Sequence, residues 1–201
     1  MQKRTGAIQR IQHRPGEGHS VDFTVTAASV DGVAGSIDMS SVPVPERKFA
    51  CDLVGIQAAA DQARLLFAQR QPVGDELMSM LVINMSPDSV VQLIGALPEA
   101  FMNGLRTVAD GAPSSKLTDF KTNAPQSIVL NGSMLMAGYT GRSGCIDIYY
   151  ASPFAVQQLA ALQKLSLEAV VRVNLTTGSL FALLDGLQNI AREYNWLKSD
   201  E

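Results

Sequence analysis

The chain of 201 residues is long enough for one domain or two small ones, and its 46% apolar residues can build a sizeable core. It contains no run of 18 apolar residues and no signal-peptide pattern, which argues against a membrane span and a secretory leader. Two cysteines are too few for a disulfide framework or a structural zinc site. We therefore expect a cytoplasmic protein with reduced thiols and no membrane contact.

Charge is sparse and uneven. Only 17% of residues are charged, against roughly 25% in a typical soluble domain, which favours a partner, such as another copy, covering apolar surface. The net charge is −3, but residues 1–14 hold Lys3, Arg4, Arg10 and Arg14 without an acid, so residues 15–201 carry −7. We interpret residues 1–19 as a basic arm, either a solvated and partly disordered terminus or an electrostatic contact for nucleic acid or an acidic partner.

Residues 20–107 are predicted to form a first α+β half. Alternating residues from Val21 predict a half-buried strand, Asp31-Gly32 a hairpin turn, and Phe49–Ile56 a further strand. An alanine-rich stripe predicts a helix over Ala58–Arg70. A strand at Met78–Met85 should follow.

The last helix of this half should start at a recognisable cap. Ser86 is the predicted N-cap and Pro87 the first helical residue, and the apolar stripe continues to Phe101. Pro98 should kink this helix because proline cannot donate a backbone hydrogen bond.

Residues 108–125 are rich in Gly, Pro, Ser and Thr and are the predicted linker, after which residues 126–201 form a second half. Its predicted elements are a hairpin around Asn131-Gly132, a strand at Cys145–Tyr150, and a helix from Ser152-Pro153 to Lys164. A strand at Ala169–Leu175 and a final helix capped by Thr176 or Thr177 should complete it.

Three anchors recur in the same order and indicate an internal duplication. Asp31-Gly32 returns as Asn131-Gly132, Cys51 as Cys145, and Asn84 as Asn174. The predicted fold class is therefore α+β, with two tandem similar ββ-β-α-β-α halves that form an internal pseudo-dimer in one compact unit.

The repeated unit carries a family resemblance. Leu81–Leu97 combines a strand, a Ser-Pro cap and a leucine-striped helix, and Val170–Leu187 repeats it with Thr-Thr in place of Ser-Pro. The unit resembles short bacterial domains of unknown function built as strand–strand–helix. The resemblance implies a bacterial or phage origin and little about activity.

Candidate functional residues are few. Asn84 and Asn174 lie late in apolar strands, where they either form a symmetric polar pair at a ligand groove or interface or bond to the backbone at a corner. Asp52 and Asp147 are either an acid pair or solvent-facing strand positions, and the cysteines are expected to be buried. Methionines in the strands, including Met78 and Met80, are either gap-fillers or part of a subunit-contacting sheet face.

The chain lacks the common phosphate-binding, zinc-protease and serine-hydrolase motifs, and both histidines lie beside the basic arm. We therefore predict a non-enzymatic interaction or scaffold protein without a cofactor or metal, which self-associates or binds an unknown protein. The alternatives are nucleic-acid binding through the arm, and a small-ligand binder or enzyme with its site between the halves.

Overall fold

The fold is α+β in the computed structural model, as the sequence predicts. The structure describes residues 9–11, 21–23, 26–30, 33–36, 42–73, 76–110, 126–152, 154–155 and 167–197, the first four segments as backbone only. The strands are β1 (Gln9–Ile11), β2 (Val21–Phe23), β3 (Thr26–Val30), β4 (Val33–Ser36), β5 (Lys48–Ala50), β6 (Leu53–Ala59), β7 (Gln62–Arg70), β8 (Leu77–Met85), β9 (Gln126–Asn131), β10 (Met134–Thr140), β11 (Ser143–Tyr150) and β12 (Glu168–Thr176). The helices are α1 (Pro87–Ala96), α2 (Glu99–Asp110) and α3 (Thr177–Glu193).

Two four-stranded sheets organise the fold. Sheet I has the order β6-β7-β8-β9, and sheet II has the order β10-β11-β12-β5. Neighbours in each sheet are antiparallel except for β9, which runs parallel to β8, and β5, which runs parallel to β12. Each sheet therefore combines a three-stranded meander with one parallel strand from a distant part of the chain.

The chain crosses from sheet II to sheet I immediately after β5. The Cys51 N–H donates to the Asn174 carbonyl at 2.9 Å, and the next N–H, that of Asp52, donates to the Ala68 carbonyl of sheet I at 2.9 Å. The prediction of one strand at Phe49–Ile56 is thus wrong, because hydrogen bonding changes sheets in the middle of that range.

A second crossing follows β9. The Gly132 N–H donates to the Asn84 carbonyl at 2.9 Å in sheet I, and the Ser133 N–H donates to the Tyr149 carbonyl at 2.8 Å in sheet II. Asn131-Gly132 is therefore not the predicted hairpin turn. A side chain at Gly132 would place its Cβ 2.9 Å from Ile83 Cγ2, so close packing of the sheets requires glycine here.

The strand registers of the two sheets match. Leu53 pairs with Ala68 in sheet I. Met134 and Tyr149, which follow these two residues by 81 positions each, pair in sheet II. Likewise Arg64 pairs with Asn84, and Cys145 with Asn174. Asn84 and Asn174 thus hold the same register position in the two sheets, whereas Cys145 matches Arg64 rather than Cys51. The Asp31-Gly32 anchor lies outside the described residues.

Residues 58–70 are not helical. Most of this range belongs to β7, which is joined to β6 at Ala60-Asp61. Four successive residues of β7, Leu65 to Ala68, are buried, which means that both faces of the strand are covered. Such a continuous apolar run has no period of two, so its periodicity alone does not distinguish it from a helix.

The helix caps follow the sequence. Ser86 Oγ accepts from the Ser89 N–H at 3.2 Å, and Thr176 Oγ1 accepts from the Ser179 N–H at 3.1 Å. The predicted kink at Pro98 is a break, because α1 ends at Ala96 and α2 begins at Glu99. The predicted cap at Ser152 forms, with the Ala155 N–H donating to its Oγ at 3.1 Å, while residues 156–166 lie outside the described part.

The carboxyl end of α3 is anchored to the β6–β7 hairpin. Asn195 has a positive φ of 53°, and the Trp196 N–H donates to the Ala191 carbonyl at 2.9 Å, as in a Schellman cap. This turn brings the Trp196 indole N–H to the Ala60 carbonyl at 3.0 Å and the Tyr194 hydroxyl to the Ala58 carbonyl at 3.2 Å. The last helix of the chain therefore holds an edge hairpin of sheet I.

One apolar core joins both sheets and the helices α1, α2 and α3. Its most buried large side chains include Phe67 and Ile83 from sheet I, Ile146 from sheet II, and Leu105 and Leu183 from the helices. α1 contacts β10 of sheet II, and α3 contacts β6 of sheet I. α1 also contacts β7 of sheet I, and α3 also contacts β11 and β12 of sheet II, so both helices lie against both sheets.

One strand, β1, lies within the predicted basic arm of residues 1–19, for which a partly disordered terminus is one of two interpretations. β1 pairs with β2, with Arg10 opposite Asp22, and β3 pairs with β4 across the predicted hairpin position, with Val30 opposite Val33. The predicted linker is shorter than expected at its start, because α2 continues to Asp110. The rest of it, residues 111–125, lies outside the described part.

Candidate functional site

Asn84 and Asn174 lie at corresponding corners of different sheets. Asn84 faces Asn131 across β8 and β9, with Nδ2 donating to Oδ1 at 3.4 Å, whereas the register neighbour of Asn174 on β5 is Ala50. The main-chain carbonyl of each asparagine accepts the N–H of a residue at which the chain changes sheets. Each asparagine therefore lies beside a point at which the chain passes from one sheet to the other. The two asparagines are not register neighbours of each other.

The basic residues of the predicted arm are mostly outside the described part. Lys3, Arg4 and Arg14 are not among the described residues, and Arg10 lies in β1. An electrostatic contact through these four residues stays a prediction.

The outer face of sheet II, opposite the common core, contains a charged pair. Arg172 donates to Asp147 through Nε and Nη2, each at 2.6 Å, and Asp147 is only 7% exposed. This hydrogen bonding raises the pKa of Arg172. Asp147 is therefore buried and ion-paired with Arg172, not the solvent-facing residue that alternation suggested. It does not pair with Asp52, which accepts the Arg70 N–H.

The cysteines are poor nucleophiles. Cys51 is buried in the core, and burial, with a smaller effect of Asp52, raises its pKa from 9.0 to about 12. Burial also raises the pKa of Cys145, followed by the effect of Asp147. Because the thiolate is the reactive form, neither side chain is prepared for nucleophilic or thiolate-ligand chemistry near neutral pH.

Alkaline pH should destabilise the fold. In the unfolded chain Cys51 ionises near its ordinary pKa of 9.0 and Tyr149 near 10.0, while in the folded protein the pKa of each is about 12. The unfolded state then binds fewer protons, so the free energy of unfolding falls as pH rises from about 9 towards 12. Urea unfolding between about pH 8 and 11 should show this fall, and Cys51→Ala or Tyr149→Phe should reduce it. A wild-type profile that stays flat would contradict the assignment.

The outer face of sheet I is apolar where sheet II has its charged pair. Leu66 and Val82 are register partners at the positions that correspond to Asp147 and Arg172, and both are buried. Val129 of β9 continues this row and is 59% exposed. An apolar face thus runs from buried positions to the solvent, and it includes Met80, one of the strand methionines noted in the sequence.

The open edge of sheet I is β9. Residues Gln126 to Val129 are all exposed, including Ile128 at 53%. The strand, QSIVLN, contains no charge and no proline. Edge strands are normally protected by charged residues or prolines, by bulges, or by a covering element. Its pairing with β8 has no bulge, and no other strand among the described residues pairs with its far side, so β9 offers a regular edge.

The chain matches no protein-family model, and neither curated proteins nor solved structures show significant similarity to it. Among the described residues, none of the helices is long and apolar enough to span a bilayer, and no cluster of three His, Cys, Asp or Glu residues is placed to hold a metal ion. The candidate functional site is the apolar outer face of sheet I together with the edge of β9.

Proposed function

We propose that the protein is a non-enzymatic interaction or scaffold protein that self-associates. The observation that carries the proposal is the apolar outer face of sheet I, which reaches the solvent at Val129 on an unprotected edge strand. Exposed apolar surface that borders an open strand is typical of sites where proteins bind one another. The sparse charge of the whole chain supports the same function.

The chemistry of the described side chains supports a binding role over catalysis. The buried carboxylate of Asp147 is held by Arg172, and the pKa values of both thiols are raised. Nucleic-acid binding through Lys3, Arg4, Arg10 and Arg14 receives no comparable support, since their side chains lie outside the described residues.

Self-association should be visible as particle mass. Light scattering after size exclusion at micromolar concentrations should give a particle larger than the 21.5 kDa chain. Because the contact is apolar, raising the salt concentration should leave this mass unchanged or increase it, whereas an arm-mediated contact would weaken with salt. A particle of chain mass at all concentrations would rule out self-association.

We also propose that the two sheets descend from one duplicated unit of bacterial or phage origin. Its support is the matched register, the helix caps at Ser86 and Thr176, and the reciprocal contribution of β5 and β9 to the opposite sheets. The unit would consist of four strands and a helix, β5 to β8 with α1 in one copy and β9 to β12 with α3 in the other. The first strand of each copy pairs in the sheet formed by the other copy. The free thiols of Cys51 and Cys145 support a reducing compartment, for which we propose the cytoplasm.

A further inference from the structure

We propose that a second copy of this chain docks on β9, antiparallel, with Val129 on the two-fold axis, so that two copies of sheet I form one eight-stranded sheet. This inference rests on the proposed self-association and adds its surface and register. Closed two-fold assembly is the commonest form of self-association.

β9 is the edge best suited to this contact. β5 is only three residues long and begins with Lys48. The hairpin end of β6 is held by Tyr194 and Trp196. β10 is contacted by α1, and its Tyr139 packs edge-to-face on Phe101 at 5.2 Å. Five of the six residues of β9 are exposed, against one of seven in β6 and one of seven in β10.

The backbone of β9 defines which groups are free. The Gly132 N–H donates to β8, and because strand residues alternate, the ladder to β8 uses the even-numbered residues. The N–H and C=O groups of Ser127, Val129 and Asn131 therefore point away from β8. These are the groups that an added strand must bind.

Only one two-fold register uses all three residues. Placing Val129 opposite Val129 of the second copy pairs Ser127 with Asn131 of that copy. A register centred on Ile128 or on Leu130 would pair only two of the three residues, because Asn131 or Ser127 would then face a position outside β9. The uncharged sequence of β9 brings no like charges together, and the apolar row Leu66, Val82, Val129 would continue into the second copy.

Substitution of Val129 tests the contact. Val129→Lys should place two ammonium groups against each other at the axis and raise the dimer dissociation constant by on the order of 100-fold. Val73→Lys is the matched control, since Val73 is 87% exposed outside the strands, and should change the constant by less than about twofold. Sedimentation at several concentrations measures both constants, and the fluorescence of Trp196 checks that each variant is folded.

A covalent test does not depend on how well Val129→Lys folds. Val129→Cys places two thiols at the axis, and mild oxidation or a short bismaleimide should link two chains, whereas Val73→Cys should not link them. A Val129→Lys variant that associates like the wild type, or equal linking by both cysteine variants, would overturn the β9 contact but leave self-association standing. A wild type that is monomeric, or that forms open-ended series beyond the dimer, would overturn the contact as well.

Discussion

Asp147→Asn is expected to lower the free energy of unfolding by about 2–4 kcal/mol, because it leaves Arg172 partly buried without its counter-charge. The two side chains share two hydrogen bonds of 2.6 Å, and the side chain of Asp147 is 9% exposed while that of Arg172 is 29% exposed. The asparagine keeps the size of the side chain, so the loss reports on charge and hydrogen bonding. Urea unfolding at neutral pH measures it.

Sheet I supplies the control for this prediction. Its corresponding pair is Leu66 and Val82, so the double variant Asp147→Leu, Arg172→Val copies an arrangement that the protein already uses. Replacing both partners removes the uncompensated charge, and we expect stability within about 1 kcal/mol of the wild type. If Asp147→Asn costs less than about 0.5 kcal/mol, or if the double variant is as unstable as the single one, the pair does not contribute as described.

Cutting the chain within residues 111–125 is expected to leave two fragments that fold only together. The first fragment lacks β9, the fourth strand of sheet I, and the second lacks β5, the fourth strand of sheet II. Each also loses the helix that packs on its sheet from the other fragment. Because the core is shared, neither fragment should show a cooperative transition, whereas their mixture should recover it.

A protease site inserted in that segment allows the comparison within one preparation. After cleavage, the protein should stay assembled and its melting temperature should depend on concentration. The fragments separated in urea should remain unfolded alone and regain native Trp196 fluorescence on mixing. A fragment that folds as a stable monomer would contradict the exchange of strands.

The sequence predicted the elements that have one clear local signal. The strand ending at Met85 and the caps at Ser86 and Thr176 are confirmed, since alternation and capping depend on neighbouring residues. The helix over Ala58–Arg70 was wrong because burial on both faces of β7 removes the alternation. Gly132 resembled a turn glycine, but its small size is needed where Ile83 and Ile148 converge.

The candidate site was less predictable than the fold. Asn84 and Asn174 have matching positions in the two sheets, which the repeat indicated, but the sequence does not tell that the partner of Asn84 is Asn131. Val129 lies in a short, mostly uncharged stretch. The exposure of this stretch depends on the strand with which it pairs, here β8. That choice is made by a pairing between residues 47 positions apart, which no local pattern encodes.

The reciprocal exchange of β5 and β9 also sets the order in which the chain completes its structure during synthesis. As translation proceeds, β6, β7 and β8 emerge early, but β8 has no neighbour on one side until residue 131 has left the ribosome. β5 emerges first among these elements and remains without its neighbouring strand for longest, because that strand, β12, ends at Thr176. Nascent chains therefore expose the uncovered sides of β5 and β8 in turn, and these are the surfaces that a ribosome-bound chaperone would need to shield.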